Sequence, residues 1–219
     1  MCVTTTYFDI LIGMQEQIEH TTEREIAASI ANDLAKALTS FDLLRANLVV
    51  EGGVGTGTLM RQTVAQLFPQ AVYVPTDLAA DRFSGEQTVT AANISAIESG
   101  QVLFADCYDY PLIAQLKRQQ ADSLLAVLVS INALYALLNT RANPWNKKST
   151  RNIHTIAGVL TDSPYAAQLH LATTDLWDEA WRDRRRAASF LQMETTAKNL
   201  GLATHRINTV HADGLLILH

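Results

Sequence analysis

The sequence predicts an α/β fold: a doubly wound, mostly parallel seven-stranded sheet with an antiparallel C-terminal strand, preceded by an N-terminal helical extension. From about residue 45 onward, short runs rich in β-branched residues alternate with amphipathic segments. Such alternation is typical of parallel strands joined by helical crossovers. Two β-like runs follow each other directly at the C-terminus, and a connection that short indicates an antiparallel pair.

The N-terminal extension is predicted from residues 21–38. Thr22 is followed three residues later by Glu25, which is a capping-box pattern at a helix start. Apolar residues then recur every four positions, at Ile26, Ile30, Leu34 and Leu38. This spacing places one apolar stripe along a helix. Because no repeat or Pro/Gly/Ser-rich linker interrupts the chain, we expect a single domain over 1–219, with residues 1–44 as a helical cap and 45–219 as the core.

The elements of the core are expected in a regular order. The strands are predicted at 47–51, 71–77, 101–112, 124–132, 166–175, 203–210 and 214–219, and the helices at 58–68, 88–100, 151–160 and 185–202, the last ending at Gly201. The continuously apolar run at 124–132 is typical of a central strand buried on both faces. In such sheets ligands bind outside the carboxyl ends of the strands, so the turns near residues 51, 77, 106 and 130 should line one crevice.

Composition narrows the class of protein. The chain has 219 residues, of which 48% are hydrophobic and 18% charged, with a net charge of −5. No basic half or face indicates a nucleic-acid partner or an anionic membrane. Cys2 and Cys107 form no CxxC pair and are expected to be free thiols. The N-terminus lacks a signal-peptide pattern, and the apolar segment 123–139 contains Ser130 and Asn132, so we expect a cytoplasmic protein.

A glycine-rich turn, EGGVGTG at 51–57, follows the first predicted strand. Glycines permit a positive φ and let a ligand approach the backbone closely. A P-loop is excluded because Gly57 is followed by Thr58 and Leu59 rather than by Lys and Ser or Thr. The dinucleotide pattern G-x-G-x-x-G fits neither register, since it would need glycine at Thr58 or at Val54. A tight turn without a ligand remains the alternative to a different nucleotide-like cofactor.

The spacing Glu51-x-Gly53-x-Gly55-x-Gly57 resembles motif I of the class I S-adenosylmethionine-dependent methyltransferases. The resemblance extends as a pattern over residues 45–219, although Gly52 and Pro75 depart from it. It implies S-adenosyl-L-methionine as the cofactor and S-adenosyl-L-homocysteine as its product. The implied cofactor-binding residues are Glu51, Gly53, Gly55, Gly57, Asp77, Leu78, Asp106, Cys107, Ser130 and Asn132.

The resemblance also implies separate tasks for these residues. Asp77 would hold the ribose hydroxyls, and Asp106, with Cys107 beside it, would take the adenine amino group. As acids that follow strands, both have an alternative interpretation as helix caps or turn residues. Glu51 could reach the methionine amino group or simply accept local amide hydrogen bonds. Ser130 and Asn132 lie where the fourth strand reaches the crevice.

Candidates for a general base are Tyr135 and, in the N-terminal segment, His20 or Tyr7. The six histidines show no HxxE or HxH spacing, so no metal is expected. The absence of a recognition domain and of a basic face favours a small-molecule acceptor, and a homodimer is an assembly compatible with the sequence.

Three other classes stay open. Residues 52–62 also resemble the glycine loop of aminopropyl transferases, and a non-catalytic domain could keep the same cofactor site. Asn143, Pro144 and Trp145 resemble the Asn-Pro-Pro-aromatic loop with which amino-methylating nucleic-acid enzymes hold a flipped base. They come about ten residues after the fourth strand rather than directly after it, as that flipped-base loop requires. A nicotinamide oxidoreductase is disfavoured by the missing glycine register.

Overall fold

The structure is a computed structural model. It describes residue 25 and residues 27–53, 58–77, 88–89, 102–104, 106–120, 125–131, 134, 155–161, 163–173, 179–210 and 212–219. Within these residues the chain forms one eight-stranded sheet with helices on both faces. The predicted α/β class, mostly parallel with an antiparallel strand at the C-terminus, is confirmed.

The strands in chain order are β1 Leu48–Gly52, β2 Val72–Asp77, β3 Thr88–Val89, β4 Val102–Phe104, β5 Ala126–Ile131, β6 Ala167–Thr173, β7 Ala203–Asn208 and β8 Ala212–Leu218. Across the sheet they lie in the order β3-β4-β2-β1-β5-β6-β8-β7. The first strand is therefore central, and the chain winds outward from it to both edges. This reversal of winding direction is the place where doubly wound sheets form a crevice.

The prediction of seven strands is wrong, because the described residues contain eight. The additional strand is β3, whose two residues pair in parallel with β4, with Thr88 opposite Val102. A helix was expected to begin at residue 88, but Thr88 and Val89 are both β-branched and pack well in a strand. The strand expected over 101–112 is also shorter than predicted, since β4 ends at Phe104 and a helix begins at Tyr110.

The antiparallel strand at the C-terminus is confirmed. β8 lies between β6 and β7 and is antiparallel to both, with Leu216 opposite Leu169 on one side and opposite His205 on the other. The turn between β7 and β8 is closed by Thr209, whose main-chain N–H and hydroxyl both donate to the Ala212 carbonyl at 2.8 Å. A short hairpin can only join antiparallel strands, which is why the sequence predicted this arrangement.

The helices are α1 over 27–38, α2 Thr58–Leu67, α3 Tyr110–Gln120, α4 Ile156–Leu160 and α5 Glu179–Asn199, with 3₁₀ turns at Thr39–Phe41 and Leu43–Arg45. Helix α5 stops as expected near Gly201, which has a φ of 79°. The N–H groups of Gly201 and Leu202 return to the carbonyls of Lys198 and Ala197, each at 3.0 Å. This left-handed glycine cap ends the helix. None of the described helices has the length and hydropathy needed to cross a bilayer.

The sheet has two apolar faces. The face packed against α1 and α2, here called the α1 face, contains Ile30, Leu34, Leu38, Val49, Val64, Val129, Leu169 and Leu216. The face packed against α3, α4 and α5, here called the α5 face, contains Val50, Val74, Ile113, Leu128, Val159, Tyr165, Met193 and Leu215. Successive strand residues alternate between the faces. The apolar stripe predicted for α1 is confirmed at Ile30, Leu34 and Leu38, all buried.

Candidate functional site

Polar residues are concentrated where the central strands reach their carboxyl ends. Glu51 in β1 lies opposite Val129 in β5, so Ser130 is one residue nearer the carboxyl edge. On the other side of β1, Asp77 is the last residue of β2 and lies opposite Phe104 in β4. Asp106 follows Phe104 by two residues. The register therefore brings four of the predicted site residues to one edge of the sheet.

Gly53 begins the turn after β1 with a φ of 73°, and its N–H donates to the Thr76 carbonyl at 2.9 Å. Glycine reaches this left-handed region without the steric cost that a Cβ imposes. The predicted need for glycine at this position is thus confirmed by the backbone. Eight further candidates lie outside the described residues: Gly55, Gly57, Leu78, Asn132, Tyr135, His20, Tyr7 and the Asn143–Trp145 loop.

Glu51 is a buried acid, 2% exposed, on the α1 face. The Tyr73 hydroxyl donates to its Oε2. Burial raises the pKa of Glu51 to about 8, an effect that the Tyr73 hydrogen bond and the Arg61 charge oppose and the Asp77 charge reinforces. At neutral pH the carboxyl is therefore mostly protonated. Of the two tasks left open for Glu51, the structure shows a local partner, which is a side-chain hydroxyl rather than a main-chain amide.

Pro75 in the middle of β2 has no N–H for the sheet ladder. It lies opposite Glu51. The neighbouring Thr76 is fully buried, and its hydroxyl donates to the Glu51 carbonyl at 2.6 Å. A side-chain donor next to the proline thus satisfies an acceptor in the interior of the sheet, and β1 and β2 stay paired up to Gly52.

Asp77 is 8% exposed at the end of β2. Its charge raises the pKa of two other groups, Glu51 in the neighbouring strand and Cys107 after β4. Strand β2 lies between β1 and β4, so Asp77 lies between the carboxyl ends of the strands that carry or precede Glu51 and Asp106.

Asp106 is 7% exposed and forms a turn after β4. Its Oδ1 accepts the N–H of Tyr108 at 2.9 Å, and its carbonyl accepts the N–H of Asp109 at 2.9 Å. The hydrogen bond to the residue two positions on is an Asx turn, which is the structural alternative considered for this acid. It orders the loop and holds the carboxylate at the sheet edge.

Cys107 carries a free thiol that is 1% exposed in the core of the α5 face. Burial, followed by the charge of Asp106, raises the pKa of the thiol well above its usual range. A thiol that stays protonated is a poor nucleophile. Its main-chain carbonyl accepts the hydroxyl of Tyr165 at 2.6 Å, which ties this turn to the residues before β6.

Ser130 is fully buried, and its hydroxyl lies 2.7 Å from Nδ1 of His170, its neighbour in β6. Nε2 of His170 lies 3.3 Å from Oε1 of Gln168. Burial lowers the pKa of His170 to about 3. The sequence reasoning weighed His170 only as a metal ligand and did not consider Gln168. The available signal was the placement of two polar residues two positions apart in an otherwise apolar strand, which puts both on one buried face.

No group of three or more His, Cys, Asp and Glu side chains within the described part of the chain could hold a metal ion. The expectation of a metal-free site stays a prediction, because several candidate residues lie outside that part.

Comparison with known proteins gives results for structure only. No family model matches the chain, and no curated protein matches it. Among solved structures, the plantazolicin methyltransferase BpumL, in complex with a monoazolic desmethylPZN analog and S-adenosylhomocysteine, aligns with a TM-score of 0.50 at 8% identity, covering 97% of this chain and 91% of that one. The chain has the class I S-adenosylmethionine-dependent methyltransferase fold.

Two further structures align less closely with this methyltransferase fold. One is a methyltransferase from Aquifex aeolicus, with a TM-score of 0.42 at 9% identity, covering 84% of this chain and 87% of that one. The other is magnesium protoporphyrin IX methyltransferase from Synechocystis, with a TM-score of 0.42 at 11% identity, covering 100% and 86%. At these identities the likeness concerns the fold alone.

Proposed function

We propose that this chain is a methyltransferase that binds S-adenosylmethionine at the carboxyl edge of the sheet and transfers its methyl group to a small-molecule acceptor. The observation that carries the proposal is the placement of Glu51, Asp77 and Asp106. Glu51 is the last but one residue of β1, Asp77 is the last residue of β2 and Asp106 follows β4, so the three buried acids lie at the carboxyl ends of three neighbouring strands of a methyltransferase fold. The structural neighbour BpumL, which was solved with S-adenosylhomocysteine, supports the choice of cofactor.

The chemistry of the acids fits parts of this cofactor. The carboxylate of Asp77 can accept hydrogen bonds from two vicinal hydroxyls at once, as a ribose presents them. Asp106, fixed by its Asx turn, offers an acceptor for an exocyclic amino group. Gly53, with its positive φ and no Cβ, leaves the backbone after β1 open to close approach by a ligand. Each residue supplies what its predicted ligand group needs.

The bound cofactor supplies an activated sulfonium methyl group, so the protein mainly contributes orientation and exclusion of water. The buried polar side chains at the edge are fixed by hydrogen bonds, with Glu51 held by Tyr73 and Asp106 by the Tyr108 main chain. Rigid, poorly hydrated groups keep a reacting pair aligned at little cost in entropy. We propose Tyr135 and His20 as the candidates for a general base.

The test is thermal stabilisation by four separate ligands: S-adenosylmethionine, S-adenosylhomocysteine, decarboxylated S-adenosylmethionine and NAD. A ligand at a hundred times its dissociation constant should add about 2.7 kcal/mol to the free energy of unfolding. We expect the first two to raise the melting temperature. A rise with the decarboxylated compound alone would identify an aminopropyl transferase, and no rise with either of the first two contradicts the proposal.

Matched variants locate the site. Asp77→Asn and Asp106→Asn keep the size of the side chain but replace one acceptor oxygen by a donor, so we expect each to reduce or abolish the shift. Asp213→Asn in β8 and Asp109→Asn in the turn after Asp106 are the controls, because both side chains are exposed. The controls should keep the full shift. If Asp109→Asn and Asp106→Asn reduce the shift equally, the ligand does not bind at the proposed place.

A further inference from the structure

A chain of hydrogen bonds on the α5 face connects Ser130 to two other segments. It runs from the Ser130 hydroxyl to His170, from His170 to Gln168, and from Gln168 to the carbonyl of Val159 in α4. Ser130, His170 and Gln168 are all fully buried. In such a place each donor needs an acceptor, because an unsatisfied buried group costs about 1–3 kcal/mol. The direction of every bond can therefore be deduced.

The direction is set at Val159. A main-chain carbonyl can only accept, so the group of Gln168 that lies 2.9 Å from the Val159 oxygen must be the amide Nε2. Nε2 also lies 3.0 Å from the ring nitrogen Nε2 of His219 and 3.4 Å from the hydroxyl oxygen of Ser163, either of which offers an acceptor for its second hydrogen. The amide oxygen Oε1 consequently points to His170. Turning the amide over would bring two carbonyl oxygens together in the core.

His170 must then donate. Because Oε1 of Gln168 can only accept, Nε2 of His170 carries a hydrogen. The ring is buried and neutral, so it has a single N–H, and Nδ1 is an acceptor. The contact of 2.7 Å between Nδ1 and Ser130 is thus formed by the serine hydroxyl donating its only hydrogen. The oxygen of Ser130 keeps its lone pairs for any other partner.

We propose that His170 is a positioning residue that holds the hydroxyl hydrogen of Ser130 inside the sheet, so that Ser130 serves the bound cofactor only as a hydrogen-bond acceptor. The proposal rests on the proposed function for the identity of the ligand. Ser130 lies one residue nearer the carboxyl edge than Val129, which is opposite Glu51. The group that it selects is a hydrogen-bond donor, and the amino group of S-adenosylmethionine is such a donor.

The ring tautomer of His170 tests the direction of the bonds without any ligand. Nitrogen chemical shifts of histidine rings distinguish a protonated ring nitrogen from a bare one, and the His170→Asn variant assigns the signals. We expect the hydrogen on Nε2 throughout the neutral pH range. A hydrogen on Nδ1 would overturn the proposal. His219→Asn is the control, because the Val159 carbonyl alone should keep the Gln168 amide in its orientation.

Cofactor affinity tests the consequence by calorimetry with S-adenosylmethionine. Ser130→Ala should raise the dissociation constant at least about tenfold, equivalent to about 1.4 kcal/mol. His170→Asn, whose amide oxygen can accept the serine hydrogen in place of Nδ1, should stay within about threefold of the wild type, whereas His170→Ala should weaken binding more. An unchanged dissociation constant for Ser130→Ala overturns the proposal.

The two failures are distinguishable. If wild-type protein binds neither S-adenosylmethionine nor S-adenosylhomocysteine, the proposed function is wrong, and so is the ligand proposed for Ser130. The tautomer measurement still decides whether His170 directs the hydroxyl. Thermal melting of each variant without ligand identifies any that has lost its fold.

Discussion

Each face of the sheet buries a titratable side chain near the carboxyl edge, and the pKa values of these two side chains, Glu51 and His170, shift in opposite directions. On the α1 face, an acid, Glu51, has a pKa raised to about 8 and one side-chain hydroxyl as its partner. On the α5 face, a base, His170, has a pKa lowered to about 3 and partners on both ring nitrogens. Burial is the largest cause in both cases, and it favours the neutral form of each group.

The difference lies in how near each pKa comes to physiological pH. His170 stays neutral at every pH at which a typical enzyme works, so its hydrogen bonds keep one direction. Glu51 changes charge close to pH 8, beside Arg61 and Asp77. The same edge of the sheet thus combines a fixed polar chain with an acid whose charge depends on pH. Four experiments can sharpen or contradict this comparison.

The largest effect is expected from His170→Leu. The substitution fills the space with an apolar side chain of moderate size but leaves the Ser130 hydroxyl and Oε1 of Gln168 without their partner in the core. With about 1–3 kcal/mol for each of the two unsatisfied groups, we expect a loss of about 2–6 kcal/mol in the free energy of unfolding. Denaturant unfolding measures it. A loss below about 1 kcal/mol would show that the chain of hydrogen bonds contributes little to stability.

The next largest effect concerns the pH dependence of the free energy of unfolding, to which Glu51 and His170 should contribute slopes of opposite sign. Glu51 has a raised pKa when folded, so its contribution to stability is complete below pH 4.5 and is lost as pH rises to about 8. His170 has a lowered pKa when folded, so its contribution is complete above pH 6.5 and is lost as pH falls to about 3. Each slope is at most about 1.4 kcal/mol per pH unit. The two should cancel between about pH 4.5 and 6.5.

Glu51→Gln isolates the first slope, because glutamine retains an acceptor for the Tyr73 hydroxyl but does not ionise. We expect the loss of stability between pH 6.5 and 8 to disappear in this variant and to persist in His170→Asn. Unfolding curves recorded at half-unit pH steps compare the variants. If wild-type stability is flat from pH 6.5 to 8, Glu51 is not held neutral in the folded protein.

Tyr73→Phe should have a smaller effect, about 1 kcal/mol of destabilisation at neutral pH, because one hydrogen bond to the Glu51 carboxyl is lost. That bond also lowers the pKa of Glu51, so its removal should raise this pKa. The loss of stability with rising pH should then continue to a higher pH than in the wild type. Denaturant midpoints at pH 7 and pH 9 measure both consequences. A fall in the pKa of Glu51 in this variant would contradict the assigned contact.

The smallest effect is expected at the surface, where Lys198 Nζ lies 2.7 Å from Oε1 of Glu194. The Lys198 hydrogen bond, followed by that of Arg206, lowers the pKa of Glu194. Because the lysine side chain is exposed, Lys198→Ala should change the free energy of unfolding by less than about 0.5 kcal/mol. It serves as the reference for substitutions away from the hydrogen-bonded groups around Glu51 and His170. A cost above about 1 kcal/mol would show that burial does not explain why the substitutions at Glu51, Tyr73 and His170 cost more than one at the surface.

Much of the fold could be predicted because it depends on local patterns. The period of the apolar residues indicated α1 and the helix ending at Gly201, and the short connection between β7 and β8 required an antiparallel pair. The two-residue strand β3 was missed, since two β-branched residues carry too little local signal against a helical pattern that follows them. These two residues form a strand because they pair with β4, and such pairing depends on a segment elsewhere in the chain.

The sequence by itself determined where acids follow strands and where glycine is needed, because the end of a strand and the start of a turn are local features. Asp77, Asp106 and Gly53 belong to this class. Only the tertiary structure decided that Ser130 meets His170, 40 residues away, and that Tyr73 meets Glu51, 22 residues away. Burial sets the protonation of these groups, and burial depends on which distant elements pack together, which no local pattern contains.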